Sequence, residues 1–459
     1  MKLRPYQEED VAKLQTKNAF LVANQQRTGK TPTALMACQR YGAAKILIVA
    51  PASLLYNWAD EHQTWLGQPC VVVDGYNKKK KLKQIDEWTH GLAINYESLR
   101  PMKNKKTDEL ITKGLWEIVK KHKPDAIIVD EAHRLRGRTT AIARAVQKFA
   151  NVPYKLALTG TPAPNRQDDV WAILHFLYPK SFSSYWNFIE EYFKYDVMNI
   201  RGNEIKTPTK MKSELVPRFQ NILDAISTNR KRKDIMPWLP DDPKPMRIRL
   251  PLTKAQAKYL DNLYNWFETD HVITMGVLDR LIRIRQICNA PNLVGLSGVS
   301  PKLNWIKQYL TDYPDRPTII FSKFSSWLHY VKEKTHGAVE VYDGSLDLEQ
   351  REVLKNKFQD GKINVLAVQI EVGKEGLTLD RAECAIFTDV IPPASDITQT
   401  RDRIIATTED KAMIPKQVIE LMMKDSYDER LYDLVEANIS NTQIINDFEQ
   451  YTKQRRVMQ

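Results

Sequence analysis

Cysteine is scarce in this chain. Its four cysteines among 459 residues, Cys38, Cys70, Cys288 and Cys384, lie far apart and show no metal-type spacing. That scarcity excludes a disulfide framework and a zinc module, and the four read as buried thiols in a reducing compartment. Long apolar runs are missing too: no stretch approaches the roughly 20 residues that span a bilayer. The opening MKLRPYQEED lacks the apolar core of a secretory signal. No low-complexity tract or short-period repeat interrupts the chain. The expectation is a cytoplasmic protein of a bacterial or phage-infected cell, monomeric, with no membrane association and no structural metal.

What is present is charge, and a regular alternation of segments. Apolar residues make up 42% and charged residues 27%, a globular and not a disordered composition. Lys plus Arg number 68 and Asp plus Glu 56, a surplus of +12. The surplus gathers at residues 78–83 (KKKKLK), 103–106 (KNKK), 134–138 (RLRGR) and 230–233 (RKRK). Four such clusters point to a nucleic-acid backbone as partner. Each duplex phosphate neutralised adds about 0.9 to the salt slope of binding. Charge alone does not distinguish DNA from RNA.

Short β-rich runs alternate with helical patterns. In the first half they are 45–50 (KILIVA), 70–74 (CVVVD), 92–95 (LAIN), 126–130 (AIIVD) and 155–159 (KLALT). In the second half they are 318–322 (TIIFS), 338–343 (AVEVYD), 364–368 (NVLAV), 384–389 (CAIFTD) and 417–422 (QVIELM). These runs are continuous in polarity, as strands covered on both faces require. Helical crossovers between them imply α/β architecture with parallel sheets. Pro237, Pro240, Pro243, Pro245 and Pro251 crowd one segment, which suits a stiff extended crossing. The domains expected are 1–236, with a helical insertion near 180–230, a crossing at 237–253, and 254–459, with a helical insertion near 254–300.

Thr28-Gly29-Lys30-Thr31 follows the apolar run 20–23 and precedes a helical pattern. Strand, tight loop and helix are the context in which such a tetrad binds phosphate. Backbone N–H groups at the helix start surround the β-phosphate. Lys30 then reaches the β and γ oxygens, and the Thr31 hydroxyl ligates Mg2+. Asp130-Glu131-Ala132-His133 follows the apolar strand 126–129. Asp130 there suits the second Mg2+ contact, and Glu131 polarises the attacking water. The two motifs together predict ATP and Mg2+ as cofactors.

At this point the sequence resembles the superfamily 2 helicases, and within them the SNF2-like DNA translocases. Leu3-Arg4-Pro5-Tyr6-Gln7 is similar to the family's adenine-reading segment. Ala50-Pro51-Ala52-Ser53-Leu54-Leu55-Tyr56-Asn57-Trp58 resembles VAPxSLxxNW, and Asn95-Tyr96-Glu97-Ser98-Leu99 the next DNA-facing segment. Leu158-Thr159-Gly160-Thr161-Pro162 is similar to the segment that couples ATP state to DNA grip. Residues 230–240, Arg285-Gln286-Ile287-Cys288, Ile320-Phe321-Ser322, residues 373–379 (GKEGLTL), 399–403 (QTRDR) and Tyr427-Asp428-Glu429 resemble later segments in the family's order.

The resemblance implies two RecA-like lobes with ATP held in the gap between them. It implies Arg4, Gln7, Thr28, Gly29, Lys30, Thr31, Gly376 and Gln399 as nucleotide contacts, and Arg403 as the arginine facing the γ-phosphate. It implies Pro51, Ala52, Ser53, Asn57, Trp58, Asn95, Tyr96, Lys323 and Thr378 as DNA contacts, and His133, Thr159 and Thr161 as coupling residues. The activity implied is ATP-dependent translocation on double-stranded DNA. With no chromatin-reading segment visible, branched DNA is the expected substrate, through branch migration or fork regression, with residues 182–229 facing the junction. An RNA helicase and a nucleotide-gated DNA clamp with little turnover are the alternatives.

Two departures stand out. The family loop DEMGLGKT is here Asn24-Gln25-Gln26-Arg27-Thr28-Gly29-Lys30-Thr31, so Arg27 stands where a glycine is usual. The family pattern QAxDRxHRIGQ places a second arginine at position 406, where this chain has Ala406. Either Arg403 suffices, or Arg401 substitutes, or the position was changed to trap an inactive complex. On this reading Ala406→Arg raises turnover at least tenfold.

Overall fold

The structure is a computed structural model. It describes residues 2–75, 77–103, 110–112, 114–137, 139–160, 167–200, 203–240, 243–266, 268–270, 272–373, 377–390, 394–406, 409–437, 439 and 441–457. The chain divides into two compact units, Met1–Pro237 and Trp238–Gln459.

In the first unit, β1 (Ala19–Val22), β2 (Ile46–Ala50), β3 (Cys70–Val73) and β4 (Gly91–Asn95) are followed by a small separate pair, β5 (Met102–Lys103) and β6 (Leu110–Thr112). Then come β7 (Ala126–Asp130), β8 (Tyr154–Leu158), a second pair, β9 (Phe193–Ile200) and β10 (Asn203–Met211), and β11 (Ser227–Thr228). The main sheet runs β11-β1-β8-β7-β2-β4-β3, and its pairs are parallel. Every residue of β1, β2 and β8 is buried. Leu21, Leu47, Val49, Ile127 and Val129 enter one core layer, while Phe20, Val22, Ile46, Ile48 and Ile128 enter the other. Two covered faces explain the uninterrupted apolar runs.

The helices that matter below are α1 (Pro5–Leu14), α2 (Lys30–Tyr41), α3 (Leu55–Leu66), α4 (Lys78–Asp86) and α5 (Tyr96–Leu99). Pro5 opens α1, where its missing N–H costs nothing, and Arg4 with Gln7 forms a capping box.

The segment 182–229, predicted from sequence as a helical insertion, is mixed. It holds the helices Tyr185–Tyr192 and Val216–Ile226, the antiparallel β9–β10 hairpin, and β11 on the edge of the main sheet. Charged and apolar residues alternate along Lys194-Tyr195-Asp196-Val197, a strand period that a search for helices passes over. Its helices are part of the core. Phe188, Tyr192, Phe193 and Phe219 pack with ring centroids 5.2 to 5.8 Å apart and join the layer that holds Leu21.

The second unit opens with β12 (Met246–Leu250), inside the stretch read from sequence as an extended crossing. The sequence Met-Arg-Ile-Arg-Leu alternates because β12 is an edge strand, pairing with β19 (Gln417–Met423). The helices Lys254–Trp266 and Val277–Asn289 flank a short pair, β13 (Glu268–Thr269) and β14 (Val272–Ile273). With β15 (Thr318–Ser322), β16 (Glu340–Tyr342), β17 (Val365–Gln369) and β18 (Cys384–Phe387), the sheet runs β12-β19-β18-β15-β17-β16, again parallel. All four cysteines are free, and Cys38, Cys288 and Cys384 are buried. Burial pushes the Cys70 thiol up to about 12. Among the described residues no helix is long and apolar enough to cross a membrane.

Candidate nucleotide and DNA site

Three segments singled out in the sequence leave neighbouring strand ends. The phosphate loop follows β1, Thr159 follows β8, and Asp130 ends β7, with β8 lying between the other two strands. The carboxyl ends of parallel strands are where open α/β sheets bind ligands.

The loop is shaped by Gly29, at φ +72°, and by Arg27, which takes the left-handed φ of +64° that a glycine would adopt freely. A Cβ added at Gly29 would lie 2.3 Å from Gln7 Nε2. Gln7 is why that space is closed: its Nε2 donates to Gly29 O at 3.2 Å, and its Oε1 accepts from Arg4 N at 2.8 Å. Tyr6 donates its hydroxyl to Thr28 O at 3.0 Å. The buried Thr28 hydroxyl donates to Gln25 O at 2.8 Å. The Lys30 ammonium curls into the loop, donating to Asn24 O at 3.0 Å and Gln25 O at 3.2 Å. Thr31 sits half-buried in the first turn of α2, where backbone N–H groups lack intrahelical partners.

The outside of the loop is held partly by residues 230–232, which the sequence marked as a basic cluster and a later family segment and not as loop supports. Ala23 N donates to Thr228 O at 2.8 Å, and Gln25 N to Arg230 O at 2.9 Å. Arg230 N donates to Asn24 Oδ1 at 3.0 Å, and Arg232 N to Gln25 Oε1 at 2.9 Å. Asn24 Nδ2 donates to the buried Asp10 at 2.8 Å, and Arg230 bridges Asp10 and Glu9, each at 2.9 Å. The cluster 230–233 is therefore not a uniform nucleic-acid surface. Arg230 is committed to Asp10, and Arg232 is 2% exposed. Asn24, which breaks the strict phosphate-loop pattern, is the residue this clamp holds.

Asp130 accepts from Trp58 Nε1 at 2.8 Å and from Glu131 N at 2.9 Å, and its backbone oxygen accepts from the Tyr96 hydroxyl. Burial, and next the neighbouring Glu131 charge, push its carboxyl up to about 6, while the Trp58 bond and the Lys30 charge pull the other way. Lys30 thus acts electrostatically on Asp130, which brings the two halves of the phosphate chemistry together. Glu131 sits at φ +49°, a second non-glycine residue in the left-handed region. Its Oε2 lies 3.2 Å from His133 Nδ1, which in turn lies 3.2 Å from Thr159 Oγ1. These three residues form one polar chain between β7 and β8.

Three expected DNA contacts need correction. Trp58 is 1% exposed, Tyr96 is fully covered and Pro51 is buried. Their apolar bodies belong to the core, and the polar tips of Trp58 and Tyr96 position Asp130. Ala52 and Asn57 are exposed, and Ser53 is half-buried. Asn95 is half-buried, and its side chain caps α5 by accepting from Ser98 N.

In the second unit, Lys323 N donates to Asp389 Oδ1 at 2.9 Å. Burial, and next the Arg285 charge, draw the pKa of the Lys323 ammonium down. Asp389 also accepts from Asn289 Nδ2 at 2.9 Å, and Lys302 joins the buried network through Asp428 at 2.7 Å. The RQIC and Tyr427-Asp428-Glu429 segments thus support the base of this sheet. Thr378 is half-buried, and Gln399 is 6% exposed. Arg403 is half-buried, and its carbonyl accepts from Leu379 N at 3.0 Å. Arg401 is ion-paired to the buried Glu420, which Arg247 also meets at 3.2 Å, so Arg401 is not an available substitute finger. Ala406 is 5% exposed. An arginine there would overpack the core, which removes the expected gain from Ala406→Arg. Thr161 and Gly376 lie outside the described residues.

The residues of the first unit fit an Mg2+ nucleotide. A buried carboxylate held up near 6 has electrostatic need of a cation. The Gly29 turn admits no side chain beside Gln7, and the first turn of α2 that follows it has backbone N–H groups without intrahelical partners. Among the described residues no three His, Cys, Asp or Glu side chains gather as a metal site. Thr31 and Asp130 would hold Mg2+ as nucleotide sites do, with few protein ligands besides phosphate oxygens and water.

Residues 10–293 match the family model described as SNF2-related domain, and residues 301–406 match the helicase conserved C-terminal domain. The Schizosaccharomyces pombe SWI/SNF chromatin-remodeling complex subunit snf22 is 24% identical over 415 residues, covering 84% of this chain and 24% of that protein. Human chromodomain-helicase-DNA-binding protein 6 is 24% identical over 433 residues, 84% of this chain and 15% of that protein. The chain therefore spans about a quarter or less of these relatives' length. The Pyrococcus furiosus Hef helicase domain superposes with a TM-score of 0.53 at 15% identity, over 95% of this chain and 98% of that one. A Sulfolobus solfataricus SWI2/SNF2 ATPase core in complex with dsDNA gives 0.41 at 21% identity, over 99% and 95%. The likeness to the Hef domain shows the fold, two tandem RecA-like parallel-sheet lobes.

Proposed function

Because the chain belongs to the SNF2-related family, we propose that it is a DNA-dependent ATPase that moves along duplex DNA, with branched DNA as its working substrate. The observation that carries this reading is the meeting of Lys30, Asp130–Glu131 and Thr159 at the ends of three adjacent parallel strands. ATP as substrate supplies the phosphoryl group that is transferred to water, and Mg2+, which Thr31 and Asp130 would hold, would neutralise charge on the phosphate oxygens. Lys30 exchanges its bonds to Asn24 and Gln25 carbonyls for phosphate oxygens. Gly29 lets the backbone approach, and Arg4 with Gln7 borders the loop on the base side. Glu131 orients a water and takes its proton at the carboxylate. The chain Glu131–His133–Thr159 links that carboxylate to the segment after β8, giving the nucleotide state a path to the DNA grip. The family resemblance assigns to Arg403 the positive charge needed during transfer. Ala52, Ser53, Asn57, Asn95, Lys323 and Thr378 remain as phosphate-backbone contacts, so sequence preference is low.

Support for branched DNA comes from the β9–β10 hairpin. It is joined by the helix Val216–Ile226 to β11 and Arg230, which hold the phosphate loop. A DNA shape met by this arm has a short covalent route to the nucleotide. The test is ATPase stimulation by linear duplex, fork, four-way junction and RNA, paired with strand displacement from the junction. Replacing residues 197–206 by two glycines spares the aromatic core at Phe188 and Phe219. That variant is expected to lose junction processing while keeping stimulation by linear duplex. Equal loss on both counts against the branched-DNA reading. Nucleosome sliding without junction activity would replace it.

A further inference from the structure

Helix α4 carries its charge at the wrong end. Lys78, Lys79 and Lys80 occupy its first turn, where the helix dipole disfavours cations, and Lys79 with Lys83 is a like-charge pair at i,i+4. Lys78, Lys79, Lys80 and Lys83 are exposed. Lys80 meets Asp74 at 2.7 Å, and Lys83 stands 3.8 Å from Glu87. The helix nevertheless forms, capped by Asn77, because Ile85 is buried beneath it and two ties hold it down. Lys81 turns inward and donates to Ser98 Oγ at 2.8 Å, in the segment Asn95 caps. Asp74, which Lys80 meets, also accepts from Gln84 Nε2 at 2.7 Å and from the Tyr56 hydroxyl. Tyr56 lies next to Asn57 in the first DNA-type segment. The lysine helix is thus fastened to both segments of the first unit that the proposed function places on DNA. A local arrangement that opposes helix electrostatics makes sense where a polyanion completes it.

We infer that Lys78, Lys79 and Lys83 of α4 grip duplex DNA phosphates, as a continuation of the surface that carries Ala52, Asn57 and Asn95. This inference rests on the duplex-tracking reading and extends it to residues that the family motifs do not contain.

The test is equilibrium binding of the full chain to a short blunt DNA duplex across a salt series. Wild type is compared with the triple variants Lys78→Gln/Lys79→Gln/Lys83→Gln and Lys78→Arg/Lys79→Arg/Lys83→Arg. The glutamine variant is expected to lower the slope of log K against log salt by about 2 to 3, three charges at about 0.9 each. Its DNA-free unfolding midpoint is expected to stay within about 2 °C of wild type, since Lys78 and Lys79 oppose the helix dipole while Lys83, in the last turn and near Glu87, complements it. The arginine variant is expected to keep the wild-type slope. A glutamine slope equal to that of a duplex-binding wild type overturns the α4 grip and leaves the proposed function standing. An arginine variant that loses slope as the glutamine variant does also overturns it, because charge is then not the cause. A wild type with no duplex affinity removes both readings together.

Discussion

Among the described residues six that are not glycine take a positive φ, and two of them border the phosphate chemistry. Arg27 and Glu131 have φ of +64° and +49°. Left-handed backbone costs a non-glycine residue about 1–2 kcal/mol, and strain of this kind gathers at functional sites. Arg27→Gly removes that cost but adds about 0.4–1 kcal/mol of unfolded-chain entropy. The expected net is a stability gain between zero and about 1.6 kcal/mol, read by denaturant unfolding, with nucleotide affinity retained. Gly29→Ala is the opposite case, since its φ is +72° and the new Cβ falls 2.3 Å from Gln7. It is expected to cost about 2 kcal/mol or more and to weaken ATP binding at least tenfold in a titration.

Asp130 yields a pH dependence with a definite sign. Burial first, and the Glu131 charge second, raise its folded pKa from 3.8 to about 6. The folded chain therefore keeps this proton where the unfolded chain has lost it. Its stabilising contribution to the nucleotide-free protein is full below pH 3.8 and lost as pH rises through about 6. Binding of Mg2+ and nucleotide runs the other way, because it needs the carboxylate. The nucleotide-induced rise in melting temperature is expected to grow from pH 5 to pH 7, with its midpoint near 6. Glu131→Gln removes the like charge and is expected to move that midpoint downward. A midpoint unmoved by this substitution would mean burial alone sets it.

At the scale of elements, the telling feature is the short edge strand β11. It is two residues long, yet it and the next four residues make four hydrogen bonds to the phosphate loop. Arg230→Met removes the ion pairs to Asp10 and Glu9 and leaves the buried Asp10 held by Asn24 Nδ2, while the backbone bonds of residues 228–232 to the loop persist. Removing one partner of a buried pair costs about 3–5 kcal/mol. Arg230 is 31% exposed, so the expected loss is smaller, about 1–3 kcal/mol. Asp10→Asn in the same chain is expected to recover part of it. The KM for ATP should rise more than kcat falls, because the clamp shapes the loop without touching the reacting atoms.

The pairing in this clamp was not legible in the sequence: Asn24 and Arg230 stood in motif segments, but they and Asp10 are distant along the chain and polar, so nothing joined them. The core strands were legible for the converse reason: both faces are covered, so 46–50 is apolar throughout and 319–321 is the apolar centre of its strand. β9, β10 and β12 escaped because an exposed hairpin or an edge strand alternates, and Arg247 and Arg249 in β12 resembled linker charge. The site residues bound to phosphate chemistry were readable as motifs. Trp58 and Tyr96 were misplaced because a motif records which residues recur together, whereas burial decides which of them face solvent.

At the scale of the whole molecule, each unit owns a parallel sheet with two covered faces, and the first holds the entire loop, Asp130, Glu131 and Thr159. Each should fold without the other. Residues 1–237 are expected to unfold cooperatively and to show a nucleotide-dependent melting shift. They are not expected to turn over, because the arginine that the family resemblance assigns to the γ-phosphate, Arg403, belongs to the second unit. An arginine that meets transition-state charge contributes about 10³ or more in rate. In the full chain, Arg403→Ala should therefore lower DNA-stimulated kcat by about that factor while changing nucleotide affinity little. Arg401→Ala should act differently. It frees the buried Glu420 from one partner and leaves Arg247 as the other, so its cost should appear in stability. Ala406→Arg should give no gain in turnover, since the methyl it replaces is 5% exposed. Measuring the three variants side by side separates a residue that meets the phosphate from residues that hold the sheet. If Arg403→Ala keeps wild-type kcat, the charge must come from elsewhere, and the carry-over of the family's arginine to this position fails.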